Sequence, residues 1–172
     1  MVIGAAPAPA PELEPLRHLP DRPLTAAELD ALVGELTHRP EIAAAGAALS
    51  PAAGDRRWAH VHRDAHLDVW VIAWTAGSDT GWHDHDASAG AFSVMAGQVT
   101  ERRPRLDGTH RVRTFASGGA SFGPEHVHRI SGDAPLSVSV HAYSPPLRRM
   151  GHYELGDDGT LRRLLVTYDD EP

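Results

Sequence analysis

His83 and His85 stand two residues apart in the stretch 77–85, which reads GSDTGWHDH. On an extended segment, alternate side chains point to the same face. Two imidazoles placed this way can converge on one ion at about 2.0–2.2 Å from each nitrogen, taking zinc distances as a guide. Such a site needs a third ligand from another strand; without one, H-x-H is a pair of surface histidines. The stretch 124–130, PEHVHRI, offers His126 and His128, which again share a face, and only one of them is needed. A third stretch, 137–146, reads SVSVHAYSPP, so that Ser139, His141 and Tyr143 lie on one face and Val138, Val140 and Ala142 on the other. Three polar side chains on one strand face are costly to bury unless they hydrogen-bond to one another. A Ser-His-Tyr chain would meet that condition and present the Tyr143 hydroxyl to whatever sits on the metal. The plainer alternative is a strand facing solvent.

Composition narrows the chemistry. The chain has 172 residues, 12 histidines and no cysteine. Disulfides, thiolate metal sites and a cysteine nucleophile are thereby removed together. A transition metal here must rest on imidazole and carboxylate, which suits Fe, Zn, Cu, Ni or Mn. The net charge of −7 argues against binding nucleic acid through phosphate neutralisation. No apolar run approaches the ~18 residues that would span a membrane, and the opening MVIGAAPAPAPELEP lacks a basic segment followed by an apolar one. A cytoplasmic monomer with no nucleic-acid or membrane partner is expected.

The elements that must carry these residues come in two groups. Residues 1 to about 20 are proline-rich and are expected to form a flexible arm. Thr25 and Glu28 form a capping box, Leu24 can staple against Leu29, and Leu29, Leu32, Val33 and Leu36 follow at helical spacing until Pro40. A second, alanine-rich helix is expected over 41–49. From residue 57 short apolar runs alternate with Gly, Asp and Pro, predicting strands at 58–63, 67–75, 90–101, 110–116, 119–123, 126–131, 136–143, 151–155 and 161–168. The fold class is mainly β, a sandwich or small barrel preceded by short helices at about 24–49. One domain is expected over 21–172, its barrel at about 57–168.

The histidine stretch resembles the first cupin motif. Gly77 precedes H-x-H with five residues between, Gly97 closes the strand pair, and the usual glutamate would fall at Gly90. The resemblance implies a cupin jelly-roll β-barrel whose first ligand shell is all imidazole. A neutral triad leaves open coordination positions and the ion's full positive charge, which favours an anionic ligand such as a thiolate. The stretch before His128, Gly118 to Pro124, resembles the second cupin motif and favours His128 over His126 as the third ligand. His126 is then expected at the site rim or facing solvent.

Together, the strings HDHDASAGAFSVMAGQVTE, HVHRI and SVSVHAYSPP resemble the cysteine dioxygenase family of thiol dioxygenases, over roughly residues 57–155. The resemblance implies ferrous iron, Fe(2+), on His83, His85 and His128, with Ser139, His141 and Tyr143 as a relay beside it. It implies oxidation of a small thiol, cysteine foremost, by O2 to the sulfinic acid. Two departures from the family pattern stand out. Animal members join a cysteine to the site tyrosine, and Gly90 occupies that position here. Members acting on cysteine carry Tyr-x-Arg on an early strand, the arginine clamping the carboxylate. Here Trp58–Ala59–His60 aligns with that pair, leaving His60, Arg57 or Arg63 to meet the substrate. Dioxygenation of 3-mercaptopropionate or another small thiol is therefore an alternative. A non-catalytic ligand-binding cupin is an alternative of another class.

Overall fold

Thr25 opens the helical part of the chain. Its side chain accepts from the Glu28 backbone N–H, and the Glu28 carboxylate accepts from the Thr25 N–H. A cap of this kind contributes about 1 kcal/mol. The computed structural model describes residues 13–105, 107–156 and 158–168. Helix α1 spans Ala26–Leu36 and buries Leu29, Leu32, Val33 and Leu36, the stripe read from the sequence. Helix α2 spans Pro40–Ala47, with proline at its first position instead of ending the preceding helix from outside. Before them, Leu13 is buried and a 3-10 turn covers Glu14–His18, with Leu16 and Leu19 packed against the helices. The arm expected to about residue 20 overlaps this turn from Leu13 onward; residues 1–12 of that expectation lie outside the described residues. Among the described residues, no helix is long and apolar enough to cross a membrane.

Eleven strands follow: β1 (Arg56–Arg63), β2 (Asp68–Trp74), β3 (Trp82–His83), β4 (Ala89–Ala96), β5 (Val99–Pro104), β6 (His110–Phe115), β7 (Gly118–Phe122), β8 (Arg129–Gly132), β9 (Ser137–Ser144), β10 (Arg149–Leu155) and β11 (Leu161–Tyr168). Five of them form an antiparallel sheet in the order β1-β2-β9-β4-β7. Two three-stranded pieces, β11-β10-β3 and β6-β5-β8, make up the other wall. They meet where His83 and His128 exchange backbone hydrogen bonds of 2.9 and 3.0 Å. The architecture is a mainly β jelly roll of the cupin kind, with two short helices in front.

Two expected strands are corrected. The run 90–101 is two strands in different sheets, parted by Gly97 at φ 72°. A side chain at Gly97 would run into the Leu136 carbonyl and Ser137, and only glycine takes this conformation without steric strain. The run 126–131 begins as strand only at Arg129, and β3 was too short to register as periodicity.

The central strands of the five-stranded sheet, β2, β9 and β4, are buried on both faces. Val69, Val71, Ala91, Val140 and Ala142 pack under the helices, while Trp70, Ile72, Trp74, Phe92, Phe122 and Tyr143 face the opposite wall. Every residue of β2 is buried, which explains its unbroken apolar reading. Full burial of such a side chain contributes roughly 1.5–3 kcal/mol. Ser144, at the end of β9, accepts a 2.8 Å hydrogen bond from the Leu24 N–H and so ties the helical cover to the strand that carries the relay.

Candidate metal centre

The three histidines expected as ligands come together between the two walls. His83 and His85 project to one side of their short extended segment, and His128 reaches them from the strand across the backbone bridge. Ring centroids lie 4.7–5.1 Å apart, and the nearest ring nitrogens are all within 4.8 Å of one another. All three rings are buried. His83 Nδ1–H donates to the Gly81 carbonyl at 3.0 Å, which leaves the Nε2 lone pair for the centre. His128 Nδ1–H donates to Glu101 at 2.9 Å, and its Nε2 has no hydrogen-bond partner among the described residues. Neither ring nitrogen of His85 has one among them. Buried polar atoms without partners are rare and call for an explanation, and an ion shared by these nitrogens supplies it.

Electrostatics agree. Burial pushes the His83 imidazolium pKa down to about 4, and burial with neighbouring histidines holds His85 and His128 well below the ordinary value. The rings are neutral at physiological pH, the form in which imidazole binds metal. Between the two ligands, Asp84 turns the other way. Its carboxylate accepts from the backbone N–H of Gly151 at 2.9 Å and of Asp86 at 3.0 Å, from the Tyr153 hydroxyl, and from Arg163 at 2.9 Å. The middle residue of the H-D-H stretch thereby pins both ligands to β10 and β11.

Ser139, His141 and Tyr143 are all buried, so their strand does not face solvent. Trp74 Nε1–H donates to Ser139 Oγ at 2.8 Å, and Ser139 Oγ lies 2.8 Å from His141 Nε2. The Trp74 N–H can only donate, so it fills one lone pair of Ser139 and leaves the Ser139 hydroxyl proton available to His141 Nε2. Burial lowers the His141 pKa to about 3, keeping the ring neutral. Its Nδ1 lies 3.4 Å from the Tyr143 oxygen, and in the tautomer with the proton on Nδ1 the phenol proton points onward. Burial also raises the Tyr143 pKa, so the hydroxyl remains a donor. Its ring stacks on His85 with centroids 5.0 Å apart. Trp74 is the head of this chain of donors.

Gly90 pairs with Tyr143 on one side and Phe122 on the other. A Cβ at Gly90 would lie 2.5 Å from the Phe122 ring. The aromatic ring thus occupies the space in which a carboxylate or a thioether partner would have to stand.

The three residues expected to meet a substrate are placed differently. Arg57 pairs with Ala73, which pairs with Val138, so it belongs to the helix-side face, away from the histidines. Alternation from Arg56 to His60 along β1 sets it on that face, away from its expected role. His60 and Arg63 share the inner face because a bulge between them shifts the register. Both are committed to the buried Asp68: His60 Nε2 bonds one carboxylate oxygen, and Arg63 donates to the other at 2.7 Å and to the Leu147 carbonyl at 2.8 Å. Arg56, to which the sequence assigned nothing, lies on the inner face. Its guanidinium sits 5.3 Å from the Trp58 ring and 5.8 Å from the Trp74 ring, and its charge acts on His83, His141 and Tyr143.

His126 was expected at the rim or in solvent, yet it is buried. It lies against Phe122 and donates from Nε2 to Glu101 at 3.0 Å. Glu101 had drawn no attention in the sequence. The available signal was its inward phase on β5, two residues after the buried Val99.

The sequence pattern of the family described as Cysteine dioxygenase type I matches residues 47–155. Among solved structures, a Klebsiella pneumoniae protein with a double-stranded β-helix domain is similar at 16% identity and TM-score 0.49, over 73% of this chain and 85% of that one. A cupin superfamily protein from Desulfitobacterium hafniense DCB-2 is similar at 6% identity and TM-score 0.47, over 58% and 85% of the two chains. With a match that takes in β1 to β10, both histidine stretches and the Ser-His-Tyr strand, the chain belongs to the cysteine dioxygenase type I family.

Proposed function

We propose that this chain is an iron-dependent thiol dioxygenase that converts a small thiol, cysteine foremost, and O2 into the sulfinic acid. One observation carries the reading: three buried neutral imidazoles share a focus, and two of them hold ring nitrogens with no other partner, next to a relay that ends in a phenol proton. His83, His85 and His128 would hold the ion, and ferrous iron would supply the redox chemistry when bound. The reaction balances as RSH + O2 → RSO2H, both oxygen atoms ending on sulfur.

The protein's own part is positioning and hydrogen bonding. Tyr143 donates to the oxygen or the substrate carboxylate, and Trp74, Ser139 and His141 keep its proton pointing that way. Phe92 and Phe122 line the inner wall and limit water. Replacing Tyr143 by Phe is expected to leave iron content unchanged and to lower kcat about a hundred- to a thousandfold, as removal of an aimed donor commonly does. Iron analysis alongside steady-state kinetics checks it, and an unchanged kcat would remove Tyr143 from the chemistry.

Arg56, on the inner face against the Trp58 and Trp74 rings, is our choice for the group that meets a substrate carboxylate. The change Arg56→Gln is expected to raise KM about tenfold or more for cysteine and 3-mercaptopropionate, since a guanidinium–carboxylate pair is lost. Cysteamine, which has no carboxylate, should be unaffected. Equal effects on all three thiols would contradict the assignment. The function itself is tested by anaerobic loading with ferrous iron, then oxygen uptake and product mass with the same three thiols. Iron-replete protein that consumes no oxygen with any of them would end the reading.

A further inference from the structure

Glu101 is 1% exposed and occupies an inward position on β5, where its strand neighbour Val99 is apolar and fully buried. A lone carboxylate in such a place costs several kcal/mol unless its lone pairs are filled. Here a single oxygen, Oε1, accepts from His126 Nε2 at 3.0 Å and from His128 Nδ1 at 2.9 Å. The carboxylate can only accept, so both facing nitrogens carry hydrogen. For His128 this places the lone pair on Nε2, the atom that lacks a partner among the described residues. His126 is held flat against Phe122, centroids 4.4 Å apart and 10° between planes, and Phe122 stacks in turn on His85 at 4.9 Å. Glu101, His126 and Phe122 therefore brace two of the three ligand rings. The Nε2 of His126 is taken by Glu101.

We propose that Glu101, shared between His126 and His128, is a positioning residue for the metal centre: it holds the His128 lone pair toward the ion and sets a negative charge one ring behind it. The proposal rests on the reading of His83, His85 and His128 as ligands. The first shell is uncharged, so this carboxylate changes the local balance from two positive charges to one. It also makes the His128 nitrogen a stronger donor. Both effects favour tight metal binding and the higher oxidation state.

The test uses the full-length protein, metal-free, titrated calorimetrically with Co(II) alone, together with the ferric/ferrous midpoint potential of the iron-loaded form. Glu101→Gln keeps the volume and removes the charge. It is expected to raise the Co(II) dissociation constant about 10- to 100-fold and to move the midpoint upward. A tenfold loss of preference for ferric iron corresponds to about 59 mV. A merely structural role would lower thermal stability and leave the potential in place. If Glu101→Gln does not fold, the double variant Glu101→Met with His126→Leu, which replaces the buried polar pair by apolar groups, is read in the same way. A folded variant that binds Co(II) within twofold of the unaltered protein, at an unchanged potential, overturns the proposal. Unaltered protein that binds metal but oxidises no thiol would remove the dioxygenase reading while leaving the role of Glu101 to stand on the titration.

Discussion

Replacing His85 by leucine is expected to abolish iron retention and turnover while making the metal-free protein no less stable, or more stable by about 1–3 kcal/mol. The ring is fully enclosed, stacked between Phe122 and Tyr143, and neither of its nitrogens has a hydrogen-bond partner. A buried polar group left without a partner costs about 1–3 kcal/mol. Leucine is close in size and carries no such penalty, and repacking a volume-conserving swap usually costs under about 1.5 kcal/mol. An ion that binds only the folded chain should raise the unfolding temperature of the unaltered protein and leave that of the variant where it is. Thermal unfolding of both proteins with and without added Fe(II) reads all of this at once. Stoichiometric iron in the leucine variant, or a collapse of its metal-free stability, would mean that His85 serves the fold and not an ion.

The second large effect is acid sensitivity of the metal-free protein. His83 and His141 have folded-state pKa values near 4 and near 3, both because burial opposes the charged ring. Their ordinary value is 6.5. Between those limits the unfolded chain binds more protons than the folded one, so stability rises with pH across the window. It is fully present above pH 6.5 and is lost as the pH falls toward 4 for His83 and toward 3 for His141. By pH 4.5 each ring removes roughly 2–3 kcal/mol at one pKa unit per 1.36 kcal/mol. His85 and His128 shift in the same direction. Against a typical domain stability of about 5–15 kcal/mol, unfolding of the metal-free protein is expected between roughly pH 4 and 5. Bound metal should move the transition to lower pH, since protons and ion compete for the same nitrogens. Denaturant titrations at pH 7, 5.5 and 4.5 measure the slope. His141→Leu should flatten it by about one proton, and equal stability at pH 7 and 4.5 would refute the account.

Much of the site was legible from local spacing. H-D-H, the later histidine pair and the alternating S-x-H-x-Y strand each place side chains on one face by backbone geometry alone, and the helix stripe with its capping box is equally local. Where local pattern failed, a partner distant in sequence was responsible. Gly97 divides one apolar run into two strands because the Leu136 carbonyl passes close to it. His60 and Arg63 looked available until Asp68 was placed between them. Arg57 and Arg56 differ by a single step of register, and the pairing Arg56↔Trp74 decides which of them faces inward.

The sequence by itself determined the chemistry open to this protein. Without cysteine and with these histidine pairs, a metal must rest on imidazole, and side-chain alternation follows from strand geometry whatever the surroundings. Only the tertiary structure decided which nitrogens are left to an ion and which are already taken. Gly81 and Glu101 settle which nitrogen of His83 and of His128 is left to the centre, from positions 2 and 27 residues away. Hydrogen-bond direction depends on what lies opposite in space, and periodicity along the chain carries no record of it.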